Sequence, residues 1–125
     1  MSPFHLTIVI FTVFLSASAQ LLLKFGAEKI SITNNGVIYG NSIASITNVL
    51  LNPYIIFGMF IYILSAGIWI WVLSKVAISL AYPFVSISFV LTLFAGAAFF
   101  NEPMTYTKVV GTCLIIVGCY VITRT

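Results

Sequence analysis

Charge is what this sequence has least of. Of its 125 residues only 6% are Asp, Glu, Lys or Arg, while 62% are hydrophobic. A soluble domain carries roughly a quarter charged residues, and five basic and two acidic side chains cannot clothe a globule of this length. The net charge of +3 comes with no basic cluster, so a nucleic-acid partner is not expected. Histidine occurs once, as His5, far from the two cysteines, Cys113 and Cys119. These lie six apart in one apolar run, on different faces of a helix and too far apart to bridge. They read as packing residues, and no metal site is expected. A phosphate-cradling glycine loop and any catalytic constellation are also missing, which points to a protein without cofactor or enzymatic chemistry.

What is present is lipid-soluble. The mean hydropathy is +1.20, and about 20 apolar residues in a helix cross a bilayer core. Four runs qualify, predicting helices over about 4–24, 53–74, 79–100 and 104–123. Asn52-Pro53 supplies an N-cap followed by proline at the first helical position. Ser79 can cap the third helix, leaving Pro83 in its first turn, and Asn101-Glu102-Pro103 is a tight turn before the fourth. Lys108, a turn inside the fourth helix, can snorkel to the headgroups. Residues 75–78 leave room only for a hairpin, so helices 2 and 3 run antiparallel.

Two segments admit rival readings. Ser16-Ala17-Ser18-Ala19-Gln20 has the small residues of a signal-peptidase site, but the positive region that a secretory signal needs is missing, so a retained first helix is expected. Between helices 1 and 2, Ile43, Ile46, Val49 and Leu50 recur at helical spacing among Ser42, Ser45 and Asn48. This predicts a short amphipathic helix over about 41–51 in the membrane interface, the alternative being an irregular loop. Four spans place Lys75 and Arg124 on one side and Lys24, Lys29 and Lys108 on the other, nearly a tie for the positive-inside rule.

Polar residues inside a membrane are costly and therefore informative. On helix 1, Thr12, Ser16, Gln20 and Lys24 are each four residues apart and form one stripe, with Ser18 off it. Such a stripe serves a polar headgroup path and a helix–helix contact equally well. Helix 3 opens with Ser79, Tyr82 and Ser86 near one face, and Ser88 and Thr92 follow on another. Helix 2 offers little beyond Tyr62, Ser65, Trp69 and Trp71, the tryptophans reading as interfacial anchors. Helix 4 sets Gly111, Ile115 and Gly118 on one face, where small residues admit a second helix. Glu28 and Glu102, the two acidic residues, fall in connections, so no expected span holds the carboxylate that a proton-coupled cation exporter needs. Four helices fill their own core, so a transporter this small should work as a pair.

These motifs resemble a known family. Residues 16–26, from Ser16 through Gln20 and Lys24 to Gly26, resemble the first helix of the small multidrug resistance proteins of the drug/metabolite transporter superfamily. Residues 77–86, with Ala81-Tyr82-Pro83, resemble their junction between helices 2 and 3. Asn101-Glu102-Pro103 resembles the acidic turn before helix 4, and residues 111–118 resemble the dimer-forming fourth helix. The match covers the chain apart from its longer first loop. With Lys24 set on the family lysine, the drug exporters' essential glutamate falls on Ser16, and their glycine pair in helix 3 falls on Ile87 and Phe89. The proton–drug exchange site is thus gone. The Ala81-Tyr82-Pro83 and Asn101-Glu102-Pro103 motifs are similar instead to the EamA-type branch, which includes flippase subunits for undecaprenyl-phosphate-linked aminoarabinose.

The expectation is an all-α bundle of four transmembrane helices, dimeric, with a short interfacial helix between helices 1 and 2. The resemblance implies a bacterial inner-membrane flippase, or flippase subunit, for a polyprenyl-phosphate-linked sugar. Lys24 would meet the phosphate, helped by Lys75 or Lys108, while Ser16, Gln20, Tyr82 and Ser86 would hold the sugar. Gly111, Ile115 and Gly118 would face a second copy or a second four-helix protein. The alternatives are a small cation, polyamine or drug exporter that borrows a partner's carboxylate, and a non-transporting scaffold for a membrane glycosyltransferase.

Overall fold

A computed structural model describes residues 2–33 and 49–124. Backbone N–H and C=O groups have no water to bond in hydrocarbon, so a spanning segment must satisfy them internally. The chain does so with helices. Among the described residues, four are long and apolar enough to cross a membrane: Pro3–Lys29, within the longer helix α1 (Pro3–Thr33), α2 (Pro53–Lys75), α3 (Ile78–Phe99) and α4 (Tyr106–Thr123).

Helix α1 opens under Ser2, whose Oγ accepts from the His5 N–H at 3.3 Å. It continues past Lys24 because residues 24–29 contain no helix breaker stronger than Gly26. Lys24 and Glu28, one turn apart and 3.8 Å from each other, also support the turn. Gly26 is where α1 meets α2 most closely. A Cβ there would lie 2.5 Å from Ile55 Cγ1 and 3.2 Å from the Ile55 backbone nitrogen. Gly58 answers from α2, facing Leu22 and Leu23. Asn52 caps α2 as expected, its Oδ1 accepting from the Tyr54 N–H at 3.0 Å.

Helix α3 departs from the sequence expectation in its first half. Ala77, not Ser79, precedes the first turn, and no side chain caps it. The helix starts at Ile78, so Pro83 is no longer in the first turn, and its ring nitrogen cannot bond the carbonyl one turn back. The helix tightens there. Residues Ile78–Ala81 are α-helical, Tyr82–Val85 form a 3-10 turn, and Ser86–Phe99 resume the α-helix. At the far end Asn101 takes a positive φ of 51°, a conformation asparagine tolerates better than most residues. The Gly96 carbonyl accepts from both Phe100 N–H (3.2 Å) and Glu102 N–H (3.0 Å), which folds the turn back over the end of α3. Thr105 then caps α4.

Helix α1 packs along α2, α3 crosses α1, and α4 lies against α3. Val9, Val72, Val76 and Ala81 form the buried core, with Trp69, Leu73, Leu80 and Phe84 around it. Helix α4 buries no residue, and a Cβ added at its Gly111 or Gly118 would meet nothing within 4 Å among the described residues. Large apolar side chains such as Phe11, Phe57, Ile63, Phe94 and Leu114 point outward. Water would not tolerate that surface, whereas hydrocarbon does. Residues 49–51 are helical, and the rest of the expected interfacial helix lies outside the described residues.

Candidate functional site

The helix 1 stripe lines two cavities in succession. The first, of about 300 Å³, is walled by Thr12 and Ser16 from α1, Tyr62, Ser65 and Trp69 from α2, and Tyr82 and Ser88 from α3. Thr12 and Ser65 are buried, and each spends its hydroxyl proton on a carbonyl of its own helix, Ile8 at 2.7 Å and Tyr62 at 2.8 Å. The hydroxyls of Ser16, Tyr62 and Tyr82 have no hydrogen-bond partner among the described residues, so they remain available to a guest. Trp69 stands edge-on to Tyr82, with ring centroids 5.7 Å apart. Both tyrosines are partly exposed, Tyr62 at 40% and Tyr82 at 53%, so the rim opens to the outside of the bundle.

The second cavity, of about 200 Å³, continues the stripe with Gln20 and Lys24, joined by Thr92, Gly96 and Phe100 from the α3 segment and by Glu102. Lys24 Nζ is 3.4 Å from Glu102 Oε1 and 3.8 Å from Glu28 Oε1, and it lies 5.6 Å from the centre of the Phe100 ring. All three charged side chains are a little under half exposed, so the pairs contribute little to folding and can exchange partners. Gly96 makes this arrangement possible. A Cβ on it would come within 2.6 Å of Glu102 Oε2. Lys29 and Lys108 lie near the same end of the bundle but bond elsewhere, to Tyr54 Oη at 3.2 Å and the Pro103 carbonyl at 3.0 Å. Lys75 is exposed in the last turn of α2, at the opposite end.

Both cavities sit between α1 and α3, which run in the same direction. Ser16 faces the same cavity as Ser88, Gln20 the same as Thr92, and Lys24 the same as Gly96 with Glu102 above it. These rungs climb about 12 Å from Ser16 to Lys24 at the helical rise. The 3-10 turn brings Tyr82 onto this face. A 3-10 helix turns about 120° per residue against about 100° in an α-helix. Over Tyr82–Val85 the surplus, roughly 60–80°, swings Tyr82 away from Ser86 and toward Ser88 and Thr92. Of the five residues expected to form the site, Ser16 and Tyr82 therefore share the first cavity, and Gln20 and Lys24 share the second. Ser86 is buried and does not line either one.

Trp69 and Glu102 are among the cavity-lining residues that sequence reading passed over. Tyr62, Ser65 and Trp69 recur at i, i+3 and i+7, a one-face helical pattern that separates Trp69 from Trp71. Trp71 instead packs outside against Phe4 and His5. Glu102 lies 78 positions from Lys24, and no local spacing signals their contact. On a third face, an apolar groove of about 330 Å³ runs between α1 and α3, lined by Phe14, Ala17, Leu91, Phe94 and Ala95, and shares Leu21 with the ionic cavity.

Four apolar spans carrying one continuous polar face define a small, multi-pass, all-α membrane protein. Among known proteins, the chain is 31% identical over 121 residues to the "Probable 4-amino-4-deoxy-L-arabinose-phosphoundecaprenol flippase subunit ArnF" of Shewanella sediminis, covering 90% of this chain and 83% of that one. The ArnF protein of the same description from Enterobacter sp. is 30% identical over 109 residues, covering 86% and 84%. An ArnE subunit from Pseudomonas syringae is 39% identical over 57 residues, covering 46% and 53%. No protein-family model and no solved structure matches the chain. The chain belongs to the family of these small flippase-subunit proteins.

Proposed function

We propose that this chain is one subunit of a bacterial inner-membrane flippase that moves a polyprenyl-phosphate-linked sugar between leaflets, by transport rather than catalysis. The observation that carries the reading is the run of polar rungs on α1 and α3, from the aromatic and hydroxyl cavity to Lys24, within a bundle whose other faces are apolar. A phosphate or sugar leaving water must regain its hydrogen bonds and its counter-charge, or the transfer is prohibitive. Lys24 supplies the charge. Ser16, Gln20 and Tyr82 supply hydrogen bonds, with Ser88 beside them and Trp69 offering an apolar edge to a sugar ring. The apolar groove next to Leu21 suits the start of the prenyl tail, which stays in hydrocarbon throughout.

Four helices enclose only half of such a path. The uncovered face of α4, with Gly111, Ile115 and Gly118, is where a second four-helix chain would sit. Relatives named as two kinds of subunit, ArnF and ArnE, favour a heterodimer. The test is flipping of a fluorescent polyprenyl-phosphate sugar in liposomes holding this chain with its partner subunit. Lys24→Ala is expected to slow flipping at least about tenfold, the scale of a lost charge-assisted contact. Unchanged flipping would remove Lys24 from the mechanism.

A further inference from the structure

Lys24 is not an empty anion receptor. Its ammonium sits between two carboxylates, Glu102 Oε1 at 3.4 Å and Glu28 Oε1 at 3.8 Å. One positive charge faces two negative ones, so an arriving phosphate meets an occupied site. The two carboxylates are held differently. Glu28 lies one turn along the same helix and travels with Lys24. Glu102 belongs to the turn after α3, and its contact with Lys24 joins the two walls of the cavity of about 200 Å³. Phe25, next to Lys24, packs on the same end of α3, with ring centroids 4.7 Å from Phe100 and 6.4 Å from Phe99. The ion pair thus closes a junction that aromatic packing already aligns.

We infer that Glu102 is an internal competitor for Lys24: it yields the ammonium to the phosphate on entry and reclaims it on exit, so it governs release of the lipid rather than its recognition. This rests on the flippase reading above. Glu102 acts through Lys24 and is a positioning residue. The geometry fits the role. The Glu102 backbone is anchored, its N–H donating to the Gly96 carbonyl at 3.0 Å, so a displaced carboxylate stays within reach of Lys24. Gly96 has no side chain, which leaves the carboxylate room over α3. The Glu102 side chain is 43% exposed, so on giving way it turns to water, and its displacement costs little. Competition lowers the apparent affinity for the phosphate by the fraction of time that Lys24 is free. Without a competitor, the charge-assisted contact would hold the lipid in its first bound state, and tight binding there slows every later step. Glu28 cannot do the same, because a carboxylate on Lys24's own helix joins no second wall.

The experiment pairs two measurements on one probe, a short-chain polyprenyl phosphate bearing a neutral sugar. Its affinity is measured on the purified full chain in nanodiscs, and its flipping in liposomes that hold the chain with its partner subunit. Glu102→Gln, nearly isosteric, is expected to tighten binding about three- to tenfold, the scale of a half-exposed ion pair together with the repulsion removed, and to slow flipping by a similar factor. A merely structural role would not move the two readouts in opposite directions. Glu102→Asp keeps the carboxylate and should fall nearer the wild type in both. Gly96→Ala keeps every charge but crowds the Glu102 carboxylate away from its place, and should shift both readouts part of the way toward Glu102→Gln. A Glu102→Gln protein that binds no tighter, or binds tighter and flips at the wild-type rate, overturns the inference. The flippase reading then still stands on binding and flipping by the wild type. Folded wild-type protein that neither binds nor flips the probe overturns both.

Discussion

At the scale of single residues, small side chains decide as much as charged ones. Gly26 and Gly96 each make room for one contact, and the two differ in what stands in the way. Beside Gly26 the obstruction includes the Ile55 backbone nitrogen at 3.2 Å, which cannot step aside without moving a helix. Gly26→Ala is therefore expected to destabilise the α1–α2 contact by about 1–3 kcal/mol, the usual cost of overpacking. Reversible unfolding in mixed micelles measures it, and an unchanged midpoint would contradict the packing seen here. Beside Gly96 the obstruction is the tip of a mobile side chain, so alanine there should leave stability nearly untouched and act on the position of Glu102 instead. Lys24 shows the limit of local reading. Its place on the polar stripe follows from spacing, whereas its partner Glu102 comes from the turn between α3 and α4.

At the scale of the element, the third helix matters most. Its proline looks innocuous if the helix begins at Ser79. It falls deeper because Ile78 already starts the helix, and the chain answers with a 3-10 turn that re-aims Tyr82. Pro83→Ala is expected to restore α-helical geometry, raise stability by on the order of 1 kcal/mol, and rotate Tyr82 back toward Ser86. Flipping should then fall even though the protein is more stable. A variant with greater stability and full transport would show that the turn does not position Tyr82 for function. Helix α4 poses the opposite case, since it touches α3 yet buries no residue among the described residues. Gly118→Leu should cost this chain less than about 0.5 kcal/mol on its own, because nothing stands near that position. It should weaken association with a second four-helix chain, read by cross-linking in liposomes.

At the scale of the whole molecule, the bundle is lopsided. Helices α1, α2 and α3 share a core, while α4 stands at the edge with no buried residue. The polar face lies between α1 and α3, and a guest there would touch one wall made by this chain and one still to be supplied. That asymmetry fits a chain whose relatives are named as subunits. It also explains why Ser16 and Tyr82 are half-open rather than enclosed. A single four-helix chain should therefore bind headgroups more weakly than its complex with the partner, by the share of contacts the partner adds. Titrating the partner into the binding assay above would show this as tightening of the same site.

The sequence by itself determined the solvent, the number of spans and the polar stripe. Each of these depends on residue type and short-range spacing, and helical periodicity is fixed by backbone geometry. Capping at Asn52 and the turn at Asn101 were legible for the same reason. The tertiary structure alone decided that Glu102 meets Lys24 and that Ser88 replaces Ser86 beside Tyr82. The first depends on contacts between distant segments. The second depends on the angular register within the third helix, and a single 3-10 turn shifts that register by more than half the angle between neighbouring residues.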